Sequence, residues 1–470
     1  MQGWRSDPTG DAAAFHPHRD DSVTRAGAIV AMTIVGAIAA FGVSFAIAKN
    51  NLWLDEAYSF SFATSDWPRF VAAIHHVDGP LAAYYLALRV WLAAFGASET
   101  ALRSFSLLWA VASIPLAYRL GAGLFTRSVG VFVAILVAFN AFWFDHAKDG
   151  RVYSLTLFLS LCATLAFVDV MREGPTAWRT LRYLVFIALA LAFHAIIAGL
   201  MVIAHVASAP LLRSPSISAK RYVPVALGLV TVAVATVGAF TQLGSTQNTW
   251  LSRPSAHAAL SAVLWLGGEK LAFIFIVSLT SYAIAIALRT RDRTVLVVLV
   301  WFLAPLVAAL IISSFKPIFL ARYLFAALVP LLVLTAVGID RLRPRWVAFA
   351  VLAITVASEA VGTRHEVHKS GEAWQDAARM VAARATPGDL IVFDPACVAV
   401  PYATAARRAQ VPIPEGAVVL PHDWAHAGAA EFVCAVATRA ALFQSQPTGT
   451  RRGSSSTTEA VLPQPSGSLR

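Results

Sequence analysis

Asp55 and Glu56 stand side by side in NLWLDEAYSF, residues 51–60, directly after an apolar run of spanning length. Adjacent carboxylates between Trp53 and Tyr58 have two uses. One is structural: Asp55 caps a helix start, and Glu56 sits in the first turn, where the macrodipole favours negative charge. The other is chemical, because a carboxylate fixed at a helix start is well positioned to accept a proton from a substrate. The same segment carries Asp66, His75, His76, Asp78, Arg89, Glu99 and Arg103. Asp78, before Gly79-Pro80, reads as a turn and cap or as a substrate contact, with Tyr85 following it. Asp55, Glu56, His76 and Asp78 could together hold a divalent cation, although their spacing follows no strict metal motif. No Cys/His spacing points to structural zinc, and no other cofactor is called for.

Two further stretches supply cations. FDHAKDGRVYSL, residues 144–155, crowds Asp145, His146, Lys148, Asp149 and Arg151 into one turn, with Tyr153 opening the next apolar run. SSFKPIFLARYLFAALVP, residues 313–330, sets Lys316 and Arg322 on either side of a proline. Internal salt bridges and snorkelling to headgroups are the structural uses of these residues. A cation at the membrane boundary is also well placed for a lipid phosphate. Carboxylates from one loop and cations from two others suit attack by a hydroxyl with departure of a phosphate.

The elements that must position these groups are membrane helices. Of 470 residues, 58% are hydrophobic and only 13% charged, with a mean hydropathy of +0.66. A soluble chain of this size could not hide so much apolar surface, so the chain is polytopic. Its net charge of +11 is spread as small clusters between apolar runs. That is the pattern of cytoplasmic loops, and it argues against nucleic-acid binding. About eleven spans are expected, over 26–48, 101–124, 129–145, 152–171, 183–198, 199–212, 223–241, 271–288, 294–313, 320–339 and 346–361; the pair around His194 reads as two tight spans or one broken helix. Basic clusters in alternate loops place those loops inside and the candidate residues outside. GPLAAYYLALRVWLAAFG, residues 79–96, is too short to span: about 15 residues reach roughly 22 Å against a core of about 30 Å. It also carries Arg89 mid-run, so it reads as an interfacial amphipathic helix. The loop 49–100 is then one extracytoplasmic unit within a membrane domain of residues 26–362.

Residues 1–25 read as a disordered cytoplasmic tail, and 446–470, rich in Ser, Thr, Pro and Gln, as a second one. Ala46-Ile47-Ala48 resembles a signal-peptidase site, but the run before it is long enough for an anchor helix. Residues 363–445 have ordinary composition, and their alternating helix and strand patterns predict a small extracytoplasmic α/β domain. Of the three cysteines, Cys162 lies within a span, while Cys397 and Cys434 fall in the outer domain, where an oxidising compartment permits a disulfide.

LWLDEAYS, HHVDGPLAAYYLALRVWLAAFGASETALRSFS, DHAKDGRVYSL and ARYLFAALVPLLVL, in this order and spacing, resemble the polytopic GT-C glycosyltransferases, in particular the protein O-mannosyltransferase and aminoarabinose-transferase group in its bacterial form. The resemblance covers about residues 25–365. It implies an all-α membrane domain with interfacial helices in the first outer loop. It also implies transfer of a sugar, mannose or a related one, from a polyprenyl-phosphate carrier in the bacterial plasma membrane to an extracytoplasmic glycan, lipid or protein, with inversion. Asp55 would be the catalytic carboxylate beside Glu56. Arg151 and Arg322, with Lys148 or Lys316, would stabilise the leaving phosphate; Asp78, Tyr85 and Tyr153 would contact substrate. Many relatives carry a second proline or a basic residue where this chain has Asp78-Gly79-Pro80, so a phosphate-binding lysine cannot be carried over there. A transporter or flippase for lipid-linked sugars would use the same basic residues without chemistry, but it predicts charges near the bilayer midplane and two related halves. A scaffold protein would leave Asp55 and Arg151 dispensable.

Overall fold

The structure, a computed structural model, describes residues 24–47, 52–76, 78–241, 251, 253–368, 372–386, 390–393, 398–412 and 416–419. Both predicted tails beyond these bounds, and Cys397 and Cys434 with their predicted pairing, lie outside the described residues.

The chain begins with a long apolar helix, α1 (Arg25–Ile47), whose lipid-type stripe Ile34, Ile38, Phe41 and Phe45 stays exposed. Three short helices follow: α2 (Leu54–Thr64), α3 (Trp67–His76) and α4 (Ala82–Phe95), the last entered through a 3₁₀ turn at Gly79–Leu81. At 14 residues α4 is too short to cross a bilayer. Arg89 does not face lipid. It donates to the carbonyls of Ala63 and Ser65 at the end of α2 and lies over the Trp67 and Phe70 rings.

The bundle proper runs from α5 (Glu99–Leu124) through α6 (Arg127–Phe139), α7 (Ala141–Lys148), α8 (Tyr153–Glu173), α9 (Ala177–Phe193) and α10 (Ala195–Leu212). It continues with α11 (Val223–Thr241), α12 (Ala256–Leu266), α13 (Lys270–Thr290), α14 (Arg293–Phe315), α15 (Phe325–Asp340) and α16 (Arg345–His368). Local chemistry starts many of them. Ser98, Thr126, Thr176, Ser255 and Asp292 each accept an orphan amide of the first turn. Pro115, Pro210, Pro305 and Pro330 lie inside helices, which neighbouring helices in a membrane tolerate. Where α13 and α15 cross, a Cβ on Gly338 would lie 2.3 Å from the Leu279 carbonyl oxygen. Only glycine permits that approach.

Nine described helices are long and apolar enough to cross a membrane, or ten if the bent pair α6–α7 is one span. The chain is a multi-pass membrane protein. Ten of the eleven expected runs correspond to these helices and the bent pair, and the run over 183–198 corresponds to α9, a helix of 17 residues. Around His194 the chain does not bend within one helix: His194 adopts an extended conformation, ends α9 and caps α10.

The break in α6–α7 has a specific cause. Asn140 leaves helical geometry, and its side chain accepts the Trp143 amide, restarting the helix at an angle of 57°. Glu359 of α16 holds the freed groups, accepting from Asn140 Nδ2 at 3.1 Å, Ala141 N at 2.9 Å and Glu269 N at 3.2 Å. One carboxylate thus ties the restart of α7 to the start of α13. Glu359→Ala strands these buried donors and is expected to destabilise the fold by about 1–3 kcal/mol, seen as a lower melting midpoint, with Glu359→Gln intermediate.

Beyond α16, the described residues form a small unit: α17 (Trp374–Arg384), β1 (Leu390–Phe393), α18 (Ala399–Ala409) and β2 (Gly416–Val419). The strands pair in parallel, Leu390 opposite Gly416 through Phe393 opposite Val419. Parallel pairing needs a crossover, which α18 supplies. Ala378, Phe393, Ala399, Tyr402 and Ala406 form its own core, and α18 packs on α2.

Candidate active site

Segments far apart in sequence meet at one end of the bundle, around the start of α2. The cap of α2 is Trp53, not Asp55. Glu56 completes the cap, accepting the Trp53 amide at 3.3 Å. The amide of Leu54 donates to Glu372 Oε2 at 3.0 Å, so the C-terminal unit also secures this helix start. Asp55 is thereby relieved of capping, and its carboxylate turns to two guanidiniums.

Asp55 Oδ2 lies 3.2 Å from Arg322 Nη1 and 3.9 Å from Arg151 Nη2. Arg151 also donates to Ser59 Oγ at 2.7 Å and to the Asp55 carbonyl at 3.2 Å. Burial works against its charge, yet Asp55 and the surrounding tyrosines outweigh it and hold the guanidinium above its ordinary pKa. The Arg322 guanidinium lies 5.8–5.9 Å from the ring centres of Trp53, Tyr153 and Tyr323, an aromatic enclosure that stabilises a cation. The Asp55 and Arg322 side chains keep 25% and 22% of their surface exposed, against 3% for Arg151. A ligand reaches the first two directly. Arg151 forms the floor.

Among the described residues, Arg151 Nε, Arg322 Nε and Trp53 Nε1 are buried without a hydrogen-bond partner. Buried N–H groups are rarely orphaned. Two of the three are on the guanidiniums beside Asp55 and the third on the indole that Arg322 lies over, an arrangement suited to an anionic oxygen-rich group.

Glu56 has a different position from its neighbour. It is fully buried, held by Arg103 through Nε at 2.8 Å and Nη2 at 2.6 Å, and it accepts the Gly150 amide at 2.6 Å. Arg103 reaches on to the carbonyl of Ile47 at the end of α1. This clamp joins α1, α2, α5 and the loop carrying Arg151. Gly150 is required there, since a Cβ would meet Leu102 at 2.5 Å.

Asp78 and Tyr85 pair with each other, the Tyr85 hydroxyl donating to Asp78 Oδ2, and both are buried. Burial pushes the Tyr85 hydroxyl well up, and Asp78 adds to it. Tyr84 donates to the Gly150 carbonyl at 2.7 Å. Lys148 does not stand free for a phosphate, because Asp145 and Glu366 each hold its ammonium at 2.9 Å. Lys316 ends α14 exposed and makes no ion pair among the described residues. Tyr153 is buried against Arg322 and His194. No three His, Cys, Asp or Glu side chains among the described residues converge as a metal site would need; Glu56 is engaged by Arg103 and Asp78 by Tyr85.

Asp149 lies against this clamp. Burial raises its carboxyl well above the ordinary range; Asp145 and Glu56 push the same way, against Lys148 and Arg103. A carboxyl with a raised folded pKa holds its proton more tightly when folded. Its contribution to stability is full below about pH 4 and is lost as pH rises through the raised value. Asp149→Asn is expected to flatten the alkaline decline of the melting midpoint, checked by melts from about pH 4 to about pH 9.

Sequence reasoning missed His194, Ser59, Trp53 and Tyr323 as parts of the site. His194 accepts the Ile197 amide through Nδ1 at 3.4 Å, and its ring lies 5.1 Å from that of Tyr323. Ser59, four residues after Asp55 on a helix, and Tyr323, next to Arg322, carried a signal in their spacing. His194 carried none beyond the break it marks.

No protein-family model matches the sequence, and no curated protein matches it. Among solved structures, ArnT from Cupriavidus metallidurans bound to undecaprenyl phosphate is similar at a TM-score of 0.59 and 17% identity, covering 89% of each chain. ArnT from the same organism in the apo state gives 0.57 and 16%, covering 83% of this chain and 85% of that one. The apo Archaeoglobus fulgidus oligosaccharyltransferase gives 0.49 and 13%, over 78% of this chain and 59% of that one. With ArnT aligned over nearly its whole length, the chain has the fold of the GT-C membrane glycosyltransferases.

Proposed function

We propose that the chain is an integral membrane glycosyltransferase that moves a sugar, mannose or a related one, from a polyprenyl-phosphate carrier to an acceptor outside the bacterial plasma membrane. The observation carrying this reading is Asp55, part exposed, between two guanidiniums whose Nε–H groups and the nearby indole N–H lack acceptors among the described residues. A phosphate supplies those acceptors. The fold of ArnT, a protein solved with undecaprenyl phosphate, supports the same ligand class.

In this reading Asp55 takes the proton of the acceptor hydroxyl or amine as that atom bonds to the anomeric carbon. The bond from that carbon to the phosphate oxygen breaks from the opposite face, inverting the centre, and polyprenyl phosphate leaves with the electron pair. Arg322 and Arg151 stabilise the charge that develops on the phosphate. Tyr153 and Trp53 wall the pocket. Glu56 and Arg103 position the helix rather than react, and Lys148 orders the loop before Arg151. The basic residues Arg127, Arg172, Arg182, Arg213, Arg289, Arg293, Arg341 and Arg345 lie at the helix ends away from the site, which supports placing the site outside.

The test is transfer by the purified chain in liposomes, using radiolabelled polyprenyl-phosphate mannose and its aminopentose counterpart. Label appearing on an aqueous acceptor supports the reading. Label that crosses the bilayer still attached to its lipid, with no new glycosidic product, would establish the transporter reading instead.

A further inference from the structure

A second cavity opens on another face of α2. It has a volume of about 370 Å³ and lies between α2, the turn into α5 and α18, lined by Phe60, Thr100, Thr404 and Arg407. An ion pair between Arg408 and Glu99 closes one side and joins the C-terminal unit to α5. Phe60 follows Asp55 by five residues, so the cavity and the carboxylate share a helix but face roughly 140° apart at about 100° per residue.

The two arginines of this cavity differ. Arg408 has Glu99, whereas Arg407 donates Nε to the Ala403 carbonyl at 3.2 Å and has no carboxylate within ion-pair distance among the described residues. Partial burial lowers its pKa. The Thr100 hydroxyl makes no hydrogen bond among the described residues. Thr404 donates to the Val400 carbonyl and keeps its lone pairs for an incoming donor. The space is of ligand size rather than ion size. An uncompensated guanidinium, two hydroxyls and an aromatic wall together match a sugar that carries an anionic group.

We propose that this cavity binds an anionic sugar unit, one bearing a carboxylate or phosphate, of the glycan that accepts the transferred residue. The inference rests on the transferase reading for its role, not for its ligand. A cavity built from α2 and α5 holds a remote part of the acceptor on the same helices that carry Asp55 and Arg103. Binding energy from a remote part of a substrate can then be used at the reacting centre.

The experiment measures binding to the full chain in uncharged detergent, without donor lipid. Tetragalacturonate, neutral maltotetraose and inorganic phosphate are the probes. Tetragalacturonate is expected to bind at least about tenfold more tightly than maltotetraose, a gap of about 1.4 kcal/mol. Arg407→Gln is expected to remove that preference and Arg407→Lys to restore part of it, with unchanged melting midpoints. Equal affinity for charged and neutral tetrasaccharides, or an Arg407→Gln variant that keeps the preference, would overturn the assignment. Inorganic phosphate binding as tightly as tetragalacturonate would overturn its sugar component. A chain that binds tetragalacturonate through Arg407 yet transfers no sugar keeps this cavity assignment and loses the transferase reading.

Discussion

Asp55→Asn is expected to lower the rate of sugar transfer by about 10²–10⁴-fold, the range supplied by a positioned acid–base group. The amide keeps the size of the carboxylate but cannot take a proton from the acceptor. The substitution also takes from Arg151, 3% exposed, its nearest carboxylate at 3.9 Å, so the melting midpoint should fall, but by less than for Glu56→Gln because Asp55 itself keeps 25% of its side-chain surface exposed. Donor binding should persist or tighten, because Arg322 and Arg151 lose the carboxylate that competes with a phosphate for them. Turnover and donor affinity measured on one preparation separate the two effects. Transfer at the wild-type rate would remove Asp55 as the base.

Glu56→Gln should act on the fold. Glu56 has no exposed surface and Arg103 only 5% of its side chain, so the substitution leaves a guanidinium buried without its counter-charge. Breaking such a pair from one side costs about 3–5 kcal/mol, which for a helix start tied to α1, α5 and the Arg151 loop should lower the melting midpoint by many degrees. The double substitution Glu56→Gln with Arg103→Met removes the orphaned charge and should recover much of the loss. If Glu56→Gln melted like wild type but lost transfer, Glu56 would belong to the chemistry rather than the scaffold.

The contrast between these adjacent carboxylates marks the limit of what the sequence determined. Its periodicity and charge clusters were enough for the membrane helices and for a run at 79–96 too short to span, and they singled out the segments carrying Asp55, Arg151 and Arg322, which the structure brings together. Those features depend on neighbours within a few turns: apolar runs of spanning length, capping residues such as Ser98 and Thr126, and basic loops. The local reading left Asp55 open between cap and base, and Lys148 open between salt bridge and phosphate contact, because a residue's partner across the bundle leaves no trace in its own segment. Arg322 meets Asp55 from 267 positions away, and Lys148 meets Glu366 from 218. Glu359 closes the break at Asn140 from 219. Only packing the helices decided which charges are neutralised within the fold and which stay open to a ligand, since desolvation makes each buried charge depend on the one group that reaches it.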